Sequence, residues 1–473
     1  MKTAVINSRD LLVEGHRIDP DLHMSEGAAV RNELARLPYE LIKVGDCCER
    51  VFLGNIFSRV FVNDAQHGVP YLSASDTVLA NLETGRFLSN KQASELNYLR
   101  ISKDWILITC SGTLGNVTFT NSVFENYIAT HDLIRMIPNS QKVSKGTLFA
   151  FLSSRFGYYQ ITQTKFGGVV KHINDDQAKD IFIPVLPEEL QNRVENLIQE
   201  SASLREVATM LQKEALQLLL DKSKLGAITP FEYDYYGPGL MARDVSCFTV
   251  KKRSITPTTI NAFNLSERIR NLKKRIINTV ETRPLSDCID DKGLFSTGSF
   301  PRVEVKPGYG IELINQRDIF DNVVHGKFIS KRNVKTSNLV EDDEIIIAGV
   351  GTLAESETFC RCVYANEYLK GKLISGEFIR MKTNQDIPSG YLYTWLSSQY
   401  GFRLIRNTQA GTKLCRPIPK LLEQIPVPIL SSDEMTDIDK IAKAAQNNLA
   451  KAAFNELEAI SIVEAEIDKW NKQ

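Results

Sequence analysis

The strand-like run Ile101-Ser102-Lys103-Asp104-Trp105-Ile106-Leu107-Ile108-Thr109-Cys110, closed by Gly112-Thr113-Leu114, decides how this chain is built, because its pattern comes twice. A second run, Leu339 to Ala348, closes on Gly351-Thr352-Leu353 about 240 residues further on. Other matches follow in the same order. Gly68-Val69-Pro70-Tyr71-Leu72 through Asp76 pairs with Gly310-Ile311-Glu312-Leu313-Ile314 through Asp318. Gly85-Arg86-Phe87-Leu88-Ser89 pairs with Gly326-Lys327-Phe328-Ile329-Ser330, and Ile134-Arg135-Met136 with Ile379-Arg380-Met381. Leu152-Ser153-Ser154-Arg155-Phe156-Gly157 pairs with Leu396-Ser397-Ser398-Gln399-Tyr400-Gly401, and Ile183-Pro184-Val185 with Ile425-Pro426-Val427. Colinear matches whose offsets drift by a few residues are the mark of a duplicated domain with loop insertions. A chain that doubles a domain implies a pseudo-two-fold and a ligand in two parts.

The rest of the chain fits a doubled design. At 473 residues it is too long for one ordinary core. Hydrophobic residues are 43% and charged residues 24%, values of a globular protein. Lys+Arg and Asp+Glu are both 57, so nucleic acid would have to be met by local basic faces. Short apolar strands alternate with Gly, Asn and Asp turns in each half. A helix is expected within each, over Lys145 to Thr162 and Gly390 to Ile405, with Leu148, Phe149, Leu152, Phe156 and Tyr159 at helical spacing. Shorter lead-in helices are expected over Ser25 to Leu37 and, strongly basic, over Leu265 to Thr282.

A change of character follows each half. Leu190, Val194, Leu197, Ser201, Leu204, Ala208, Leu211, Ala215 and Leu218 alternate by four and three, a heptad seam that calls for a partner helix. Pro187-Glu188-Glu189 starts that helix well, and its length is about 50 Å at 1.5 Å per residue. Residues 433–471 carry a second stripe: Ile438, Ile441, Ala445, Leu449, Ala452, Ile460, Val463 and Ile467. The expected division is a lead-in over 1–40, a globular domain over 41–187, and a long helix over 188–225. A linker with a second lead-in helix over 226–283, a domain over 284–430 and a second long helix over 431–473 complete it. The fold class is α/β (α+β).

Catalytic signatures are absent. There is no P-loop, no Gly-x-Ser-x-Gly elbow and no His-Glu-x-x-His. Gly349-Val350-Gly351 lacks the third glycine of a dinucleotide fingerprint and reads better as a tight turn. Asn/Asp-Pro-Pro-Tyr/Phe, which holds the target amine in amino-methyltransferases, is missing. Eight cysteines form no Cys-x-x-Cys and have no histidine cluster beside them, so no metal is expected and reduced, packed thiols fit best. The first residues lack an apolar signal core, and no apolar stretch approaches the roughly 20 residues that span a bilayer, so no membrane partner is expected.

Two dissimilar α/β domains, each followed by a heptad helix, resemble the specificity (S) subunit of type I restriction-modification systems. The Gly-Thr-Leu at 112–114, the Leu-Ser-Ser-x-aromatic-Gly at 152–157 and the Ile-Pro-Val-Leu-Pro followed by Glu-Glu-Leu-Gln at 183–191 carry the likeness. The second copy departs at its end, where Ser-Ser-Asp-Glu-Met follows Ile429-Leu430. The extended lead-in around His16-Arg17-Ile18-Asp19-Pro20 is more like the closely similar S subunits of type II-like methyltransferase/restriction complexes.

The resemblance implies two target recognition domains, each reading one half of a bipartite double-stranded DNA target. It implies two helices packed as an antiparallel coiled coil that docks DNA methyltransferase (M) subunits, two of them, with a restriction nuclease subunit joining in some systems. S-adenosylmethionine would sit on the partner methyltransferase and no cofactor on this chain, which would be non-catalytic, cytoplasmic and prokaryotic, held at the nucleoid through DNA. The competing expectations are a standalone restriction or modification enzyme and a scaffold of a phage-defence complex that does not bind DNA.

Base identity is read mainly by Arg, Lys, Asn and Gln in the major groove, with further cations on phosphates. The candidates in the first half are Arg59, Arg86, Lys91, Thr113, Lys165, Lys171 and His172, the last three on the glycine-containing stretch 164–172. In the second half they are Arg302, Arg317, Lys327, Lys331, Arg332, Lys413 and Arg416, the last two on the corresponding stretch 407–416.

Overall fold

The structure is a computed structural model; it describes residues 23–62, 65–139, 141–163, 172–228, 248–252, 255, 258–353 and 357–471. The chain divides into two compact units, Met1–Glu206 with Lys451–Gln473, and Val207–Ala450.

In the first unit, four strands lie in the order Cys48–Phe52, Leu133–Pro138, Ile106–Thr109, Val117–Phe119, all antiparallel. Ile106 faces Met136 on one side and Phe119 on the other. All four residues of Ile106–Thr109 are buried, as an inner strand covered on both faces requires. A second sheet orders Phe61–Val62, Phe87–Ser89, Gly68–Leu72 and Ile128–Ala129, its last pair parallel with Tyr71 opposite Ile128. Leu41–Lys43 pairs antiparallel with Phe182–Pro184, so the start and end of the globular part are stitched together.

The second unit repeats the inner part of this pairing in two three-stranded sheets, without counterparts among the described residues to the edge strands Cys48–Phe52 and Phe61–Val62. Ile345 on strand Ile345–Ala348 faces Met381 and Tyr364. Ile311–Ile314 pairs antiparallel with Lys327–Ile329 and parallel with Leu373–Ile374. Thr282–Pro284 pairs with Pro426–Pro428. Asp104 and Asp343, each two residues before the first inner-strand position, both adopt left-handed backbone, with φ of 64° and 60°. The duplication read from the matched peptides is therefore a duplication of strand pairing.

Helices α1 (Lys145–Ser153) and α2 (Arg155–Gln163) replace the single helix expected over Lys145 to Thr162. Ser154 turns extended, with ψ 165°. Its hydroxyl donates to Phe151 O and accepts from Gly157 N, capping α2. Gly157 makes the fold-back possible, since a Cβ there would lie 2.4 Å from Phe151 O. Ser398 and Gly401 do the same in the second unit, where the stretch expected to be one helix from Gly390 to Ile405 splits into two. The peptide Leu-Ser-Ser-x-aromatic-Gly thus encodes a capped break. The lead-in helices are shorter than expected, Glu26–Leu34 and Glu267–Thr279.

Two long helices complete the fold: α3 (Glu188–Ser223, 36 residues) and, after α4 (Ser389–Ser397) and α5 (Gln399–Arg406), α6 (Ser432–Asn471, 40 residues). A buried position recurs every seven residues along each: Val194, Ser201, Ala208 and Ala215 on α3, and Ile438, Ala445, Ala452 and Ala459 on α6, with Leu219, Val463 and Ile467 buried beside them. Within the first unit α3 and α6 run antiparallel, with Arg193 on Glu458 (2.6 Å), Lys451 on Glu200 (2.5 Å) and Ser201 Oγ donating to Ala452 O (2.8 Å). Within the second unit Lys222 meets Glu434 at 3.2 Å. In both units the helix that follows the domain supplies a carboxylate to the N-terminus of a domain helix: Gly146 N donates to Glu195, and Gly390 N to Asp439 at 2.7 Å.

Candidate nucleic-acid interface

The buried inner strand of each unit ends where several candidate residues converge. In the first unit, Ile106–Thr109 runs into Cys110 and Ser111. Ser111 bridges His172, and Ile173 N donates to Cys110 O at 3.1 Å. The Gly112-Thr113-Leu114 turn, with Gly112 at φ 72°, therefore lies beside His172, the last residue of the 164–172 stretch. Thr113 is exposed and His172 half-buried. Lys165 and Lys171 lie outside the described residues.

Arg59 reaches the same place. Its guanidinium donates to Tyr71 Oη (2.6 Å) and Thr130 Oγ1 (3.0 Å) and lies 3.6 Å from Asp132, whose carbonyl accepts from Cys110 N. Arg86 also lies near the buried Tyr71, at 6.0 Å from the ring centre against 5.8 Å for Arg59, and is clamped by Asp76. Phe57 stacks edge-on to His131 and lies 5.9 Å from Arg59. Desolvation lowers the His131 pKa, so this ring is neutral at physiological pH. Exposed Lys91 lies on the short helix Asn90–Glu95.

The second unit builds the equivalent corner differently. Gly351 exchanges two backbone hydrogen bonds with Cys415 (3.1 and 2.7 Å), which places Gly351-Thr352-Leu353 beside the 407–416 stretch. Here that stretch is a hairpin, Gln409–Ala410 paired with Arg416–Pro417, with exposed Lys413 and Arg416 on it. Gln316 binds both backbone groups of Val350 (2.6 and 3.0 Å), so the segment that carries Arg317 adjoins this corner. Arg317 pairs with Asp321 at 2.6 Å. Burial raises the Asp321 pKa to about 6, the pairing with Arg317 opposing it. Arg302, Lys327, Lys331 and Arg332 form a separate strip, because Val305 N and Ser330 N join segment 303–305 to strand Lys327–Ile329. All four are exposed, and Lys327 reaches Glu304 at 2.6 Å.

Gln316, Tyr71, Phe57 and Asp132 were not among the residues singled out from sequence. Gln316 and Tyr71 lie inside the matched peptides, but nothing in one dimension says that a side chain there holds a distant turn. Burial pushes the thiols of Cys47, Cys110, Cys288 and Cys362 up to about 12, which keeps them protonated and unreactive. Among the described residues no His, Cys, Asp and Glu group has the makings of a metal site, and no helix is long and apolar enough to cross a membrane.

Residues 38–196 match the family described as the type I restriction modification DNA specificity domain. The match spans 159 of the 473 residues. The matched segment holds the Arg59–Tyr71–Arg86 cluster, the Gly-Thr-Leu turn at 112–114 and the start of α3. Comparison with curated proteins gave no match. Among solved structures the chain is similar to the type I restriction-modification S subunit from M. genitalium (12% identity, TM-score 0.33, 92% of this chain and 98% of that one). It is also similar to a chain from a structure on complex assembly and conformational transition of the type I R-M system (14%, TM-score 0.27, 92% and 98%). A third is the HsdS subunit from Thermoanaerobacter tengcongensis (13%, TM-score 0.26, 92% and 97%). At these TM-scores the structural likeness carries no argument, and the family match covers residues 38–196 alone.

Proposed function

We propose that the chain is the non-catalytic DNA-specificity subunit of a restriction-modification complex, with one recognition domain (41–187 and 284–430) per half-site. The observation that carries this reading is the pairing of an equivalent Gly-Thr-Leu corner in both units with dissimilar surroundings. The first corner gathers Arg59, Thr113 and His172; the second gathers Arg317, Lys413 and Arg416. A common scaffold with unlike reading loops suits a target whose halves differ in sequence. Lys91 and the Arg302–Arg332 strip would serve phosphate contacts. Arg86, held by Asp76, would position Tyr71 and Arg59 rather than reach DNA first.

In this reading α3 and α6 form an antiparallel coiled coil that sets the separation of the half-sites and docks methyltransferase subunits. Those subunits bring S-adenosylmethionine and the adenine chemistry, working on cytoplasmic DNA. The test is to co-express the chain with a methyltransferase subunit from the same source and map methylated adenines. A bipartite motif with an unread gap is expected. A contiguous motif, methylation unchanged without the chain, or turnover by the purified chain alone would overturn the assignment.

A further inference from the structure

We propose that Leu414, at the tip of the 409–417 hairpin, is an apolar wedge that enters a base step of the DNA half-site read by the second unit. This deepens the reading above and rests on it. A single exposed leucine needs no explanation by itself. Three features set this one apart.

The first is exposure with alternation. Leu414 is 62% exposed, while its neighbour Cys415 is 2% exposed and turned inward, so Leu414 and Arg416 are held outward. The second is rigidity at the hairpin base, made from buried polar groups. Asn264 donates to the carbonyls of Asn407 and, at 2.9 Å, Gln409. Asn407 Nδ2 donates back to Phe263 O (2.8 Å), Arg406 to Leu353 O (2.6 Å) and Thr408 Oγ1 to Ile405 O (2.7 Å). Arg406, Asn407, Thr408 and Gln409 are each no more than 5% exposed. Gly411, at φ 122°, lets the tip close, since a Cβ there would meet Leu414 O at 2.4 Å. Buried polar networks of this kind specify one geometry more than they stabilise. The third is charge: exposed Lys413 and Arg416 bracket the leucine, matching phosphates on either side of an opened step.

An apolar side chain on a stiff, cation-flanked tip is the arrangement that unstacks and kinks a duplex, with least cost at a pyrimidine–purine step. The wedge would let this unit select deformable sequence without hydrogen-bonding its bases.

The experiment uses the assembled complex of this chain and its methyltransferase on a duplex carrying the mapped motif. 2-Aminopurine is placed in turn at each position of the second half-site except the methylated adenine, which the methyltransferase itself would flip. The wild-type complex is expected to brighten one step. Leu414→Ala is expected to bind the same duplex with fluorescence at the free-duplex level, and Leu414→Met to keep the signal. Full brightening with Leu414→Ala, or no bright step in the wild-type complex, overturns the wedge while leaving DNA recognition intact. Loss of methyltransferase assembly by Leu414→Ala without DNA would assign the leucine to a protein contact instead. Failure of the wild-type complex to bind the duplex at all would overturn the specificity-subunit reading itself.

Discussion

Arg135 and Arg380 occupy the same place in the two copies, opposite Leu107 and Ile346 on the inner strands, and both are 0% exposed. Their solutions differ. Arg380 is held by both oxygens of Glu344 (2.7 and 2.8 Å), itself fully buried. The first copy has Trp105 where the second has Glu344, and Arg135 relies on the carbonyls of Ala129, Thr130 and Leu133. Burial lowers the Arg135 pKa to about 10, still charged at neutral pH. Removing one member of a buried pair strands the other, so Glu344→Gln should destabilise the second unit by about 3–5 kcal/mol. Chemical denaturation followed by tryptophan fluorescence checks this, and a loss under about 1 kcal/mol would mean that carbonyls suffice there too.

Asp321 sets a pH dependence at the same scale. Its folded pKa of about 6 lies above the ordinary carboxylate value of 3.8, so the folded state binds the extra proton between them. Stability from this group is therefore present at low pH and is lost as pH rises through that window. Asp321→Asn should flatten the fall in Tm between about pH 4 and 6 relative to wild type. Parallel Tm–pH curves for the two proteins would show that Asp321 titrates normally.

At the scale of elements, the informative unit is the broken helix pair. Apolar spacing alone read each stretch as one helix, because Leu148, Leu152, Phe156 and Tyr159 keep period through the break. What that reading lacked was the third dimension: the Ser154 cap and the Gly157 contact with the preceding turn become visible only when the chain folds back. The glycine is the sensitive point. Gly401→Ala places a methyl 2.4 Å from Trp395 O. Overpacking of this kind costs about 1–3 kcal/mol, and Gly157→Ala should cost a similar amount in the first unit. Thermal unfolding with tryptophan fluorescence, Trp395 being fully buried in the second unit, separates the two variants. The heptad seam expected on α3 is buried at 194, 201, 208 and 215, while Leu190, Leu197, Leu204, Leu211 and Leu218 are only half-buried. The burial falls on small residues, which allow close approach of backbones.

At the scale of the molecule, the proposed bipartite target makes the two corners act together. Lys171→Ala with Lys413→Ala should weaken DNA binding and lower the salt slope by about 2, one unit per lost phosphate contact. Filter binding or anisotropy at several salt concentrations measures both. An unchanged affinity and slope would remove both loops from the interface.

The sequence by itself determined the duplication, the α/β class and the two heptad helices, because each is a repeating pattern along one dimension. It also marked the Gly-Thr-Leu turns as corresponding points of the two copies. Only the tertiary structure decided which candidate peptides adjoin. Arg59, Thr113 and His172 come from three distant peptides, joined by the pairing of Ser111 with His172 and the hold of Asp132 on Cys110. The segment of Arg317 joins its corner through Gln316, and both Arg317 and Arg86 are paired with a carboxylate, Asp321 and Asp76. The physical reason is that pairing register and burial are long-range. A cation's sequence position says that it is charged, and only its neighbours in space say whether that charge is already answered.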